Sequence, residues 1–163
     1  MKTACANEYD AIQELIAGKR YDEAMAALED LVAAGDDHAA AHVDLGNLYS
    51  LLGQFNRALA HFEQAVALAP DNPVTLKHLA ELLFSECHAV DRALTVYEQI
   101  LSLCPEDVQA LMITGHLCVS LERFDDALGY YHRVLEIEPG NDQARQFADR
   151  LLAHGLGCVS VKG

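Results

Sequence analysis

The chain has little positive charge, no long apolar run and no closely spaced cysteine pair, and each shortage removes a class of function. Lysine and arginine number 11 against 25 aspartates and glutamates, a formal net charge of -14. Nucleic-acid phosphates and anionic membranes are held by Lys and Arg, so neither is an expected partner. A basic protein or peptide is the partner this charge favours. No window approaches 18 uninterrupted apolar residues, so no membrane span is expected. The run MKTACANEYD turns polar by Asn7 and leaves no apolar stretch for a signal peptide, or for a lipid attachment at Cys5, so a cytoplasmic location is expected. Cys5, Cys87, Cys104, Cys118 and Cys158 are odd in number and include no Cys-x-x-Cys, which argues against a disulfide framework. Cys104 and Cys118 read as small buried apolar residues. There is no Gly-rich phosphate loop, nucleophile elbow or recognisable pair of catalytic carboxylates, so neither catalysis nor a cofactor is expected.

What is present is a folded chain: 163 residues, 52% hydrophobic and 22% charged, enough for a substantial core. Residues 39–72, AAAHVDLGNLYSLLGQFNRALAHFEQAVALAPDN, place Leu45, Leu48, Tyr49, Leu52, Phe55, Leu59, Phe62 and Val66 at helical spacing. The pattern breaks at Gly53-Gln54 and ends at Ala69-Pro70, which predicts a helical hairpin. Gly46 costs a helix about 1 kcal/mol relative to Ala, so packing must compensate. Gly46, Ala58 and Ala65 let the two helices approach, with Tyr49 and Phe62 filling the space beside them.

One hairpin cannot bury its own apolar face, and the chain carries copies. Ala24, Ala58, Ala93 and Ala127 recur at spacings of 34, 35 and 34. Leu28, Phe62, Tyr97 and Tyr131 follow the same beat four residues on, and Tyr21, Phe55, Val90 and Phe124 three residues before. Pro70, Pro105 and Pro139 close the copies, with Asp36 in place of proline in the first.

The motif Leu45, Gly46, Tyr49, Ala58, Phe62, Ala65 and Pro70 over 34 residues resembles the tetratricopeptide repeat. The resemblance covers roughly residues 5–141. It departs where His42 replaces a large apolar residue, where Ile12 stands for the common glycine, and at Thr114 and Cys118 of the fourth copy. It implies an all-α fold, an α-α superhelix of four hairpins at 5–38, 39–72, 73–107 and 108–141, in one array over residues 1–154. The third copy has one extra residue within FSECHA, which predicts a lengthened turn between its helices. Ala144, Phe147, Ala148 and Leu151 form one apolar stripe, so 142–154 is the expected closing helix. Residues 155–163 are an expected flexible tail. The acids crowding the first copy read as the solvated face of a terminal repeat.

In each first helix, the residues one position on from the packing row form a neighbouring face. The resemblance implies that this face, from copy to copy, lines a concave groove for a peptide or a partner helix. By position the row comprises Tyr9, Gln13 and Ile16; Val43, Asp44, Asn47 and Ser50; Lys77, His78, Glu81 and Phe84; and Met112, His116 and Val119. Some relatives grip acidic C-termini with a clamp of Lys, Arg and Asn. Asn47 matches one clamp position, but the basic positions read Val43, Gln109 and Ile113, or Tyr9, Val74 and His78 in the earlier frame, so no clamp is expected. His38 and His42 are spaced to share a metal with Asp36 and Asp37 nearby, but no Glu lies between them and His42 takes a packing position, so no metal site is expected. His61 and His132 lie on second helices and are expected to be exposed. Cys87-His88 suggests no nucleophile and base. The expected function is a monomeric, non-catalytic protein-binding module. The alternatives are a self-assembling scaffold and the substrate-docking part of a larger enzyme.

Overall fold

A computed structural model describes residues 2–35 and 38–153. Among the described residues there are nine helices and no strand: α1 (Lys2–Ala17), α2 (Tyr21–Ala33), α3 (Ala39–Leu51), α4 (Phe55–Leu68), α5 (Pro73–Ser85), α6 (Val90–Leu103), α7 (Val108–Ser120), α8 (Phe124–Ile137) and α9 (Asp142–Ala153). The expected all-α architecture of helical hairpins is the observed one. The closing helix is observed over 142–153; the tail, Cys158, Asp36 and Asp37 lie outside the described residues, as does the side chain of Cys5.

Two compact units divide the chain, Met1–Leu82 and Leu83–Gly163, with the boundary inside α5. In the first, α1 packs on α2, α2 on α3, and α3 on α4; in the second, α6 packs on α7, α7 on α8, and α8 on α9. Within each unit these helices thus pack on their neighbours in sequence, as short-looped hairpins require.

The hairpin turns share one mechanism. Lys19, Gly53, His88 and Glu122 have φ of 59°, 69°, 50° and 57°, and they stand in the same repeat position. A left-handed residue just past a helix end returns backbone N–H groups to the last carbonyls. Three of these turns close through the following residue: Arg20 N–H donates to Leu15 O at 2.9 Å, Gln54 to Tyr49 O at 2.9 Å, and Arg123 to Cys118 O at 2.8 Å, each five residues back. In the third repeat Ala89 N–H reaches six residues back, to Leu83 O at 2.8 Å. The extra residue of FSECHA is therefore absorbed in the turn, as its spacing predicts. A side chain in the left-handed region costs roughly 1–2 kcal/mol, of which the greater unfolded-state freedom of glycine returns a part. The exposed Glu122 is accordingly expected to gain about 0.5–1 kcal/mol on Glu122→Gly, read as a raised urea midpoint. A lowered midpoint would contradict the strain assignment.

First helices carry side-chain caps in register. Ala41 N–H donates to His38 Nδ1 at 3.2 Å, Val74 N–H to Asn72 Oδ1 at 3.0 Å, Ala110 N–H to Asp107 Oδ1 at 3.0 Å and Ala144 N–H to Asn141 Oδ1 at 3.0 Å. Pro73 occupies the first position of α5, where its missing N–H costs nothing. Second helices lack such caps; Asp22 and Glu23, Asp91, and Asp125 and Asp126 instead offer negative charge to three of their N-termini.

The core follows the repeat. Ala24, Ala58, Ala93 and Ala127 are fully buried, and so are Leu28, Phe62, Tyr97 and Tyr131 to within 2%. Thr114 and Cys118 sit fully buried in the fourth copy, Thr114 donating to Ala110 O at 2.7 Å. Burial pushes the Cys118 thiol up. Cys104 is only half-buried. Leu52, expected on the apolar face, is 52% exposed because α3 ends at Leu51 and Leu52 belongs to the turn.

Candidate functional site

The first-helix rows rest on close hairpin packing. A Cβ on Gly46 would lie 2.5 Å from Phe62 Cε1, so the Phe62 ring occupies the space a side chain would take. That ring then meets the next first helix: His78 stacks on it at 5.6 Å between centroids and 12° between planes. His78 is thus partly structural, although its position in the row suggests a side chain free to bind.

In the first unit the row is partly engaged with itself. Tyr9 Oη and Gln13 Nε2 both donate to Asp44 Oδ2, each at 2.6 Å. Burial, then Asp44, hold the Tyr9 phenol well above its ordinary range and keep it a donor. Tyr9 also sets its ring edge-on to His38 at 4.8 Å. Ile16, Val43, Asn47, Ser50 and Lys77 are half-buried and Glu81 is exposed.

Behind the row lies a cluster the sequence reading missed. His61, expected to be exposed, is half-buried, and its Nδ1 stands 2.9 Å from Nδ1 of the buried His42. It stacks on Tyr49 at 5.4 Å and 10°; Tyr49 donates to Glu29, and Arg57 lies 5.4 Å over the same ring. His42 packs in the core through a partner that a single helix could not reveal. Burial lowers the His61 pKa first, then the His42 charge, while Glu29 opposes both. His116 is lowered by burial as well. The unfolded chain therefore takes up protons on these imidazoles as pH falls through the ordinary histidine range, and the native state resists until lower pH. We expect a lower urea midpoint at about pH 5.5 than at about pH 7.5, with a smaller drop in His61→Gln. An equal midpoint at both values would refute this.

Among the described residues no three metal-ligating side chains converge. His38 Nδ1 is occupied capping α3 and His42 faces His61, so the two histidines do not converge on one ion. Cys87 is half-buried and His88 exposed, His88 holding the left-handed turn position.

In the second unit Phe84 is 41% exposed, whereas Met112, at 9%, belongs with the core. His116 packs against Phe147 at 4.6 Å and 75°, and against Tyr131 at 5.8 Å and 57°. Val119 is half-buried beside it. The row continues onto α9: Arg150 follows His116 by 34 residues, a beat that was available in the sequence. Its guanidinium lies 5.8 Å from the Phe147 ring centroid.

Residues 39–72 and 89–144 match models of the tetratricopeptide repeat, together more than half of the chain. The chain belongs to the tetratricopeptide repeat family. It is 29% identical over 128 residues to the cytochrome c-type biogenesis protein CycH of Pseudomonas aeruginosa, a match covering 76% of this chain and 31% of that one. It spans less than a third of the length of the curated relatives it matches. The crystal structure of MamA superposes with a TM-score of 0.79 at 20% identity, covering 96% of this chain and 85% of that one. That of YrrB, described as a tetratricopeptide repeat protein with an unusual peptide-binding site, gives 0.72 at 23%, covering 92% and 76%. At these identities the two structures share the fold with this protein. No helix among the described residues of this tetratricopeptide repeat chain is long and apolar enough to cross a membrane.

Proposed function

We propose that this tetratricopeptide repeat protein is a non-catalytic binding module that holds a peptide or helical segment of a partner protein against its first-helix rows. The observation that carries the reading is the mixed row of the first unit, in which Val43 and Asn47 are half-buried and Glu81 is exposed. Apolar footing with a few orienting polar groups is what peptide capture requires. The net charge of -14 supports a basic segment as the ligand. Asp44 is a lesser anchor, because its carboxylate already accepts from Tyr9 and Gln13.

The test is selection from a displayed random-peptide library, followed by titration of the selected peptides. Asn47→Ala with Glu81→Ala is expected to weaken them at least tenfold, about 1.4 kcal/mol, with an unchanged urea midpoint. His78→Ala is a poorer probe, since losing its stack on Phe62 costs stability. Undiminished affinity in the double variant would place the binding surface elsewhere.

A further inference from the structure

We infer that the corner of α7, α8 and α9 is an anchor pocket for one aromatic side chain of the partner segment, a refinement that rests on the binding-module reading above. A partly open cavity of about 230 Å³ lies there, lined by His116, Val119, Tyr131, Phe147, Arg150 and Leu151. An apolar cavity of about 150 Å³ in another protein holds benzene, so this volume takes a six-membered ring with its methylene. It is too small for most whole ligands, whose pockets run to about 300–1,000 Å³.

The walls choose among side chains. Tyr131 and Phe147 stack on each other at 5.5 Å and 22°, and His116 sets its ring against both. Rings offer negative faces, and such a cage by itself suits a cation. Arg150 reverses that choice. It is exposed, belongs to the lining, and forms no ion pair among the described residues, so a positive charge is held at the mouth. A lysine or arginine of the partner would be repelled there. An aromatic side chain satisfies both parts of the site, its positive edge toward the wall rings and its negative face toward the guanidinium. An aliphatic side chain fills the volume but uses neither. Burial pushes the His116 pKa down, which favours the neutral imidazole in this wall. In the repeat, His116 and Arg150 stand at the position of Asn47, and Val119 at that of Ser50. A basic segment carrying one aromatic residue thus fits the acidic chain and its local cation together.

The experiment is an NMR titration of the full chain with capped amino-acid amides: N-acetyl-phenylalaninamide, N-acetyl-tryptophanamide, N-acetyl-leucinamide and N-acetyl-lysinamide. We expect the aromatic amides to shift the His116, Phe147 and Arg150 signals and to bind at least several-fold tighter than the leucine amide, with no shift from the lysine amide. Arg150→Gln, at an exposed position, is expected to weaken the aromatic amides roughly two- to fivefold. Val119→Phe is expected to fill the cavity and abolish the shifts while the far-ultraviolet circular dichroism is retained. Equal binding of leucine and aromatic amides, or aromatic shifts that survive Val119→Phe, would overturn the proposal. If the peptides selected above lose affinity in the Asn47→Ala, Glu81→Ala variant but not in Val119→Phe, the module reading stands and the pocket alone fails. If neither variant changes their affinity, the module reading fails first.

Discussion

Tyr131→Ala is expected to lower the unfolding free energy by about 3–5 kcal/mol, the usual range for truncating a buried aromatic. Tyr131 is fully buried, lies where a side chain on Gly115 would stand, and stacks on Phe147 of α9. Its removal therefore loosens α7, α8 and α9 together, and the rigid backbone around Gly115 leaves little to collapse into the space. Whole-domain stabilities are about 5–15 kcal/mol, so the loss is roughly a fifth or more of the total. Phe62→Ala should behave alike in the first unit, where the ring is 2% exposed and joins Gly46 to His78. Tyr131→Phe separates ring from hydroxyl. The Tyr131 hydroxyl has no hydrogen-bond partner among the described residues, and burial pushes its pKa up to about 12. Removing an unpaired buried hydroxyl recovers rather than loses free energy, so Tyr131→Phe is expected to leave the midpoint unchanged or raise it. A urea melt reads all three. A loss below about 0.5 kcal/mol in Tyr131→Ala would contradict the core assignment.

The repeat that places Tyr131 was legible because it is a property of spacing. Ala24, Ala58, Ala93 and Ala127 mark the beat in sequence and are all fully buried. The left-handed turn residues obey the same beat, yet only Gly53 announces itself; Lys19, His88 and Glu122 carry side chains that say nothing about φ. The His42–His61 contact was hidden for a different reason. Spacing assigns a residue to a face of its own helix, but it does not say what the neighbouring helix presents, and a second-helix histidine was read as exposed on that account. Asp44 likewise looked available until Tyr9 and Gln13 were seen to donate to it. Arg150 could have been found. Reading α9 only as a lid over the last hairpin concealed that it also continues the first-helix row.

Gly46→Ala and Gly115→Ala are each expected to destabilise the protein by about 1–3 kcal/mol through overpacking. The sign is the informative part, because alanine is the better helix former by about 1 kcal/mol and both glycines lie inside helices. Built onto the backbone, the Gly46 Cβ meets Phe62 Cε1, Cδ1 and Cζ at 2.5, 2.7 and 2.8 Å; the Gly115 Cβ meets Tyr131 Cε1 and Cζ at 2.6 and 2.9 Å. These rings are not loose ends that swing aside, since Phe62 is stacked by His78 and Tyr131 by Phe147. The first repeat shows the other way to fill the crossing: Ile12 stands at the glycine position, Leu28 at the aromatic one, and both are buried to within 2%. Bulk has moved from the second helix to the first. Gly46→Ala combined with Phe62→Leu should therefore cost less than the two single changes together, by about 0.5–3 kcal/mol as expected for residues in contact. If Gly46→Ala instead raised the urea midpoint, helix propensity would outweigh the contact, and close approach would not be what the glycine provides.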